Sequence, residues 1–255
     1  MPSKSMKDKI KSALLWILQL VAVVGLFILF IKFVYIPLSV TTIKQINMFM
    51  QSEGITLSHV EIGDTVMLGY WEQDDDDSNG EERIEWQILD KQDNKLLLVS
   101  KCGLVSKQYN EQAHNQPVQW ADCTLRKWLN EEFIKDAFNS PIRRKIIDTT
   151  IKGTTNSQYG TKTGVDTVDK IFLLSADEVE KYFPWEEQRI SMASLQVIFN
   201  SNVSDTYGRG YWWLRTAGEH EGRAAYVRSL GAIMYDGHNV YRTRSVRPAM
   251  WIEVN

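Results

Sequence analysis

Residues 120–130 read Trp-Ala-Asp-Cys-Thr-Leu-Arg-Lys-Trp-Leu-Asn, and the grain of the chain is decided there. Over residues 124–138, Leu125, Trp128, Leu129 and Phe133 recur at helical spacing and fall on one face. Asp122 stands just before the run as its expected cap, because a short carboxylate accepts from the free amides of a first turn. Two more helix starts follow. Ser140-Pro141 puts proline at the first helical position, where its missing N–H is no loss. Ser175-Ala-Asp-Glu178 has the form of a capping box, with Val179, Tyr182 and Phe183 on the buried side.

Strand patterns lie on both sides of this helical middle. Upstream, residues 66–71, 84–89 and 95–100 are apolar runs separated by an acidic, glycine-containing loop, an antiparallel start. Downstream, residues 211–215, 225–230, 232–235, 240–243 and 249–254 are rich in strand formers, with Asp236-Gly237 expected as a turn between two of them. Helices flanked by two antiparallel groups define an α+β class. Residues 149–169 hold seven threonines and three glycines without an apolar period, and are expected to form a long loop. Such a loop is either functional or a mobile surface excursion.

The N-terminus differs in kind. Residues 13–31 form a run of 19 in which only Gln19 is clearly polar. At about 1.5 Å per residue it spans about 28 Å, close to the hydrocarbon thickness of a bilayer. Lys4, Lys7, Lys9 and Lys11 precede it against one acid, Asp8, so the positive-inside bias puts the N-terminus in the cytoplasm. A cleaved signal peptide is the alternative, but its apolar region is usually about 7–15 residues long, and Ser39-Val40-Thr41 is a poor cleavage match. The expected organisation is a cytoplasmic segment over 1–12, one transmembrane anchor over 13–36, a stalk or juxtamembrane helix over 37–58, and an extracytoplasmic domain over 59–255. Within the stalk, Ile43, Ile46, Phe49 and Met50 keep helical spacing, and that segment could equally lie along the lipid surface. Beyond residue 40 there are 24 basic and 31 acidic residues, a net of −7. That balance offers no basic face for nucleic acid. The lipid bilayer is the partner expected at the N-terminus, and an extracellular glycan or protein is the one expected for the domain.

Four segments carry a resemblance: residues 120–130, Asp169-Lys-Ile-Phe-Leu-Leu-Ser175, Trp212-Trp-Leu-Arg215 and Val246-Arg-Pro-Ala-Met-Trp251. Their order resembles an uncharacterised bacterial domain family with a C-type-lectin-like fold. That family is distantly similar to the formylglycine-generating (sulfatase-modifying) enzymes and to the variable proteins of diversity-generating retroelements. The resemblance covers roughly residues 60–255 and implies a C-type-lectin-like domain of antiparallel sheets flanked by helices. It departs at Ser245, where the family usually has glycine before Val-Arg-Pro, which leaves the geometry of that turn open. Related folds host both binding and catalysis, so function has to come from the site.

The formylglycine-generating reaction implies a close cysteine pair late in the fold that binds copper. The only thiols here are Cys102 and Cys123, and that activity is not expected. The two cysteines are read either as a disulfide between the third strand and the first helix, or as two buried free thiols. Asp75-Asp-Asp77-Ser-Asn79-Gly80 matches the first half of a calcium loop, with Asp75, Asp77 and Asn79 as candidate ligands. Position twelve is Trp86 instead of glutamate, and the alternative is a solvated hairpin tip turning at Asn79-Gly80. His220-Glu221 lacks a second histidine four residues on, and no nucleophile elbow, phosphate loop or dinucleotide fingerprint occurs. No cofactor other than that calcium candidate is implied.

After Lys181 the chain has no lysine, yet eight arginines follow, interleaved with tyrosine and tryptophan, the usual currency of recognition surfaces. Arg126, Arg215 and Arg247, with Trp128, Trp213 and Trp251, fall in the family motifs and are read as core braces. The candidate ligand face is Tyr207, Tyr211, Arg223, Tyr235, His238, Tyr241 and Arg242, joined by the 149–169 loop. Two functions follow: a membrane-anchored module recognising a glycan, cell-wall fragment or protein, or an extracytoplasmic enzyme or accessory factor. Ligand identity and oligomeric state have no signature in the sequence.

Overall fold

The computed structural model describes residues 60–111, 117–162, 164–200 and 203–254. The anchor and stalk expected over residues 13–58 lie outside them. Among the described residues no helix is long and apolar enough to cross a membrane.

The chain opens with an antiparallel meander of β1 (Thr65–Trp71), β2 (Glu82–Gln92) and β3 (Lys95–Ser100), followed by β4 (Val105–Gln108). In β2, Ile84, Trp86 and Ile88 are fully buried while Arg83, Glu85 and Gln87 between them are half-exposed. This two-residue period is that of a sheet with one face on the core, and each such side chain contributes about 1.5–3 kcal/mol by leaving water.

The helical middle is one run of α1 (Thr124–Trp128), a π-helical turn (Leu129–Phe133) and α2 (Ile134–Ala137), burying Leu125, Leu129 and Phe133 as their spacing predicts. The cap differs from expectation. Asp122 sits inside a short 3-10 turn, and the residue at the N-cap is Cys123, whose Sγ accepts from the Arg126 amide at 3.4 Å. α3 (Ser140–Lys145) starts behind Asn139, and α4 (Ala176–Tyr182) carries the expected capping box: Ser175 Oγ accepts from the Glu178 amide at 3.1 Å, and Glu178 Oε2 from the Ser175 amide at 2.9 Å. Two short helices that the sequence did not announce, α5 (Glu186–Arg189) and α6 (Leu195–Asn200), precede the last strands.

Residues 149–169 are less loose than expected. Their ends pair as β5 (Thr149–Ile151) and β6 (Thr167–Asp169), and between them Asn156 is fully buried. Asn156 Nδ2 donates to the carbonyls of Ala217 and Tyr235, both at 2.8 Å. A single amide thus staples the excursion to the sheet.

The remaining strands are β7 (Trp212–Ala217), β8 (Arg223–Val227), β9 (Ile233–Asn239), β10 (Thr243–Val246) and β11 (Ala249–Glu253). β11 returns to the first meander, giving a four-stranded sheet in the order β1-β2-β3-β11, while the second sheet runs β4-β10-β7-β8-β9. The pairings in both are antiparallel except β10 with β7. The domain is α+β and rich in sheet.

Asp236-Gly237 does not form a turn. Both lie inside β9, opposite a register shift in β8 between Ala224 and Tyr226. Gly237 has φ +71°, and a Cβ there would come within 2.5 Å of the Ala224 carbonyl oxygen, so glycine serves a bulge. Ser245 lies in β10 and not in a turn. It is fully buried, and a Cβ on Gly103 would lie 2.6 Å from its own Cβ, so its extra atoms fill space that this glycine leaves.

Candidate functional site

The second sheet presents its most unusual chemistry where β10, β7 and β8 lie side by side. Arg244 in β10 pairs with Lys107 of β4, and Trp213 in β7 pairs with Tyr226 of β8. The Arg244 guanidinium lies 4.8 Å from the Tyr226 ring centre, 5.7 Å from that of Tyr211 and 5.9 Å from that of Trp213. Its Nη1 donates to the Thr243 carbonyl at 2.8 Å, whereas Nε is buried with no partner. Burial, the largest effect, lowers the Arg244 pKa. Ring faces are electron-rich, so a cation can be held there without a carboxylate.

His238 of β9 meets the edge of the same Tyr226 ring, with centroids 6.1 Å apart. Its Nδ1 is buried without a partner. Burial first, then the charges of Arg244, Arg223 and Arg242, hold the imidazole below its ordinary pKa of 6.5. A cleft of about 440 Å³ is lined by Asn239, the residue after His238 in β9, with Thr161, His220, Glu221, Gly222 and Pro117.

Of the expected ligand face, the fold brings Tyr211 and His238 together, with Tyr241 and Arg242 on the adjoining turn. Arg242 is exposed and lies over the Tyr241 ring at 5.5 Å, and Asn239 Nδ2 donates to Tyr241 Oη at 2.9 Å. Arg223 is committed elsewhere, bound to Glu219 at 2.6 Å and to the Gly237 carbonyl at 2.7 Å. Tyr235 is a core residue, 7% exposed, with burial and Glu180 pushing its hydroxyl to about 12. Tyr207 is 75% exposed on another loop, beneath Arg209, which in turn pairs with Asp205 at 2.7 Å. Sequence reasoning did not name Arg244 or Tyr226 to the face. Alternation of Arg242 with Arg244, and of Tyr211 with Trp213, was the available signal, since alternate residues share a sheet face.

The braces behave as read. Arg126 Nε pairs with Asp169 at 2.6 Å, and the same carboxylate accepts from Trp120 Nε1 at 2.9 Å. Arg215 is gripped by both oxygens of Glu178 and by the Leu173 carbonyl. Arg247 is buried with no carboxylate within 4.0 Å among the described residues, donating to the Ser100 carbonyl at 2.9 Å and lying 4.6 Å from the Trp212 ring centre, and burial lowers its pKa to about 10.

The cysteines are both free thiols and do not form the disulfide considered above. Cys102 Sγ contacts Gln73 Oε1 and Cys123 Sγ contacts the Trp120 carbonyl, each at 3.4 Å. Burial raises them to about 11 and about 12, so both are protonated and unreactive at neutral pH. In the acidic loop, Glu72, Asp74 and Glu82 bring carboxylate oxygens within 4.8 Å of one another, and of the candidate calcium ligands Asp75, Asp77 and Asn79, Asn79 donates to Asp74 Oδ2 at 2.9 Å. Glu72 accepts from the amides of Asp74, Asp75 and Asp76, Glu82 from that of Gln73, and Asp75 from Asn200. These carboxylates close the loop on itself.

The geometry describes an α+β domain with an arginine and aromatic face on its second sheet. Over residues 93–254, more than half of the chain, the sequence matches the family described as Domain of unknown function (DUF6273), and the chain belongs to that family. No curated protein and no solved structure matches it.

Proposed function

We propose that the domain is a recognition module of C-type-lectin-like fold, carried outside the cell by the N-terminal anchor, that binds a glycan, cell-wall fragment or protein through the Arg244 face. The return of β11 to the sheet begun by β1 supports the lectin-like reading, as does the position of the four shared segments. They open α1, lead into the α4 cap, open β7 and run into β11.

One observation carries the functional reading. Arg244 is half-buried against three rings, and among the described residues no carboxylate lies within 4.0 Å of it, although Arg126, Arg209, Arg215 and Arg223 all have one. A guanidinium held in one plane by aromatic neighbours, with its charge unspent, is suited to an incoming acceptor. Rings and arginine are also the residues that dominate binding energy at interfaces.

The test is a screen of the full-length chain against immobilised glycans, cell-wall fragments and surface proteins, run beside Arg244→Gln and Tyr226→Ala. Binding that both substitutions abolish supports the face. Binding that neither changes refutes it.

A further inference from the structure

We propose that the ligand of this face is an acidic sugar whose carboxylate is held by Arg244 and Arg242 beside His238. The inference rests on the recognition reading above and names the chemical class it takes. Arg244 is packed among the rings of Tyr211, Trp213 and Tyr226 and tied by Nη1 to the Thr243 carbonyl, so less rotamer freedom remains to be lost when a planar oxyanion docks. Arg242 lies two residues earlier, exposed and stacked at 5.5 Å on Tyr241. A third guanidinium, Arg223, is already neutralised by Glu219 at 2.6 Å. Among the described residues neither Arg242 nor Arg244 has a carboxylate within 4.0 Å, which leaves two positive charges uncompensated around His238. Burial first, and then the charges of Arg244, Arg223 and Arg242, lower the pKa of that imidazole.

A single carboxylate fits better than a polyanion. The chain beyond residue 40 carries a net charge of −7, which repels an extended negative polymer while leaving a short-range guanidinium contact intact. A sugar fits better than a peptide end, because the cleft at Asn239, the residue after His238, offers Thr161, His220, Asn239 and the Glu221 carboxylate as hydrogen-bonding partners for hydroxyls. Its volume of about 440 Å³ lies in the range of small-ligand sites.

The experiment is calorimetric titration of the full-length chain with galacturonic acid, galactose, galactose 6-phosphate and N-acetylglycine. Galacturonic acid is expected to bind at least tenfold more tightly than galactose. Arg244→Gln and Arg242→Gln should each weaken it at least fivefold, and Arg144→Gln, on α3, should not. Arg242 is exposed, so its variant tests the site even if Arg244→Gln loosens the fold. Equal binding of galacturonic acid and galactose, or no galacturonic acid binding, overturns the carboxylate assignment. Tighter binding of galactose 6-phosphate or N-acetylglycine also overturns it, naming phosphate or a peptide end instead. If the screen finds a ligand lost in Arg244→Gln while galacturonic acid fails, the recognition face stands and only this inference falls.

Discussion

Arg126 and Arg215, where helices meet the sheets, each face a carboxylate, whereas Arg244, in β10, faces three rings and has no carboxylate within 4.0 Å among the described residues. In the first region the two guanidinium charges have their opposites within hydrogen-bond reach, Asp169 for Arg126 and Glu178 for Arg215, and these polar groups hold segments together. In the second, aromatic rings do the holding and the charge stays available. Residue type alone does not separate a brace from a binding group. The partner does.

The largest effect expected is in the first region. Glu178→Ala strips the carboxylate from a nearly inaccessible Arg215 and half of the α4 cap, and should cost about 3–5 kcal/mol in denaturant unfolding. A loss below 1 kcal/mol would erase the distinction between the regions. Tyr235→Ala should lower stability by about 3 kcal/mol, since the side chain is buried in the core and not part of an open ligand face. Asn156→Ala removes a buried hydrogen bond to each of the Ala217 and Tyr235 carbonyls, and should cost about 1–3 kcal/mol. Limited proteolysis within residues 149–169 should accelerate in parallel.

The second region should announce itself by pH. His238 is held below 6.5 in the folded state, so the unfolded chain binds its proton first as pH falls. Its contribution to stability is therefore present above pH 6.5 and is lost as pH drops below that value. Thermal melts of His238→Gln should be flatter across that interval than those of the parent. The smallest effect belongs to Tyr207→Ala, on an exposed loop, which should change stability by less than about 0.5 kcal/mol. If it abolishes binding of a ligand found by the screen, the face extends beyond the sheet.

Much of the scaffold was legible because its signals are local. The runs at 66–71, 84–89 and 95–100 alternate or saturate in apolar residues, and they became β1, β2 and β3 within a few residues of their expected ends. The Ser175 capping box is a four-residue pattern and formed as read. β4 was missed because Val-Ser-Lys-Gln has no apolar period. Asp236-Gly237 misled because a glycine at positive φ has the same composition in a bulge as in a turn, and only the opposing strand decides which. The candidate face was half legible. Its arginine and tyrosine enrichment is a compositional fact, but the convergence of Tyr211, Tyr226 and His238 near Arg244 depends on strand order, which local sequence does not encode. Arg223 differs, because the Glu219 that neutralises it is only four residues away in sequence and the pair forms at the β7–β8 connection.

Glu178 joins two scales of the molecule in one group. Its carboxylate closes a helix turn with a residue three positions away and grips Arg215 across a sequence separation of 37. A helix as short as α4 has little tendency to persist alone, so its second anchor comes only when β7 arrives. Helix and strand therefore gain their order in a single cooperative step, and the rotational setting of α4 is inherited from the sheet it docks on.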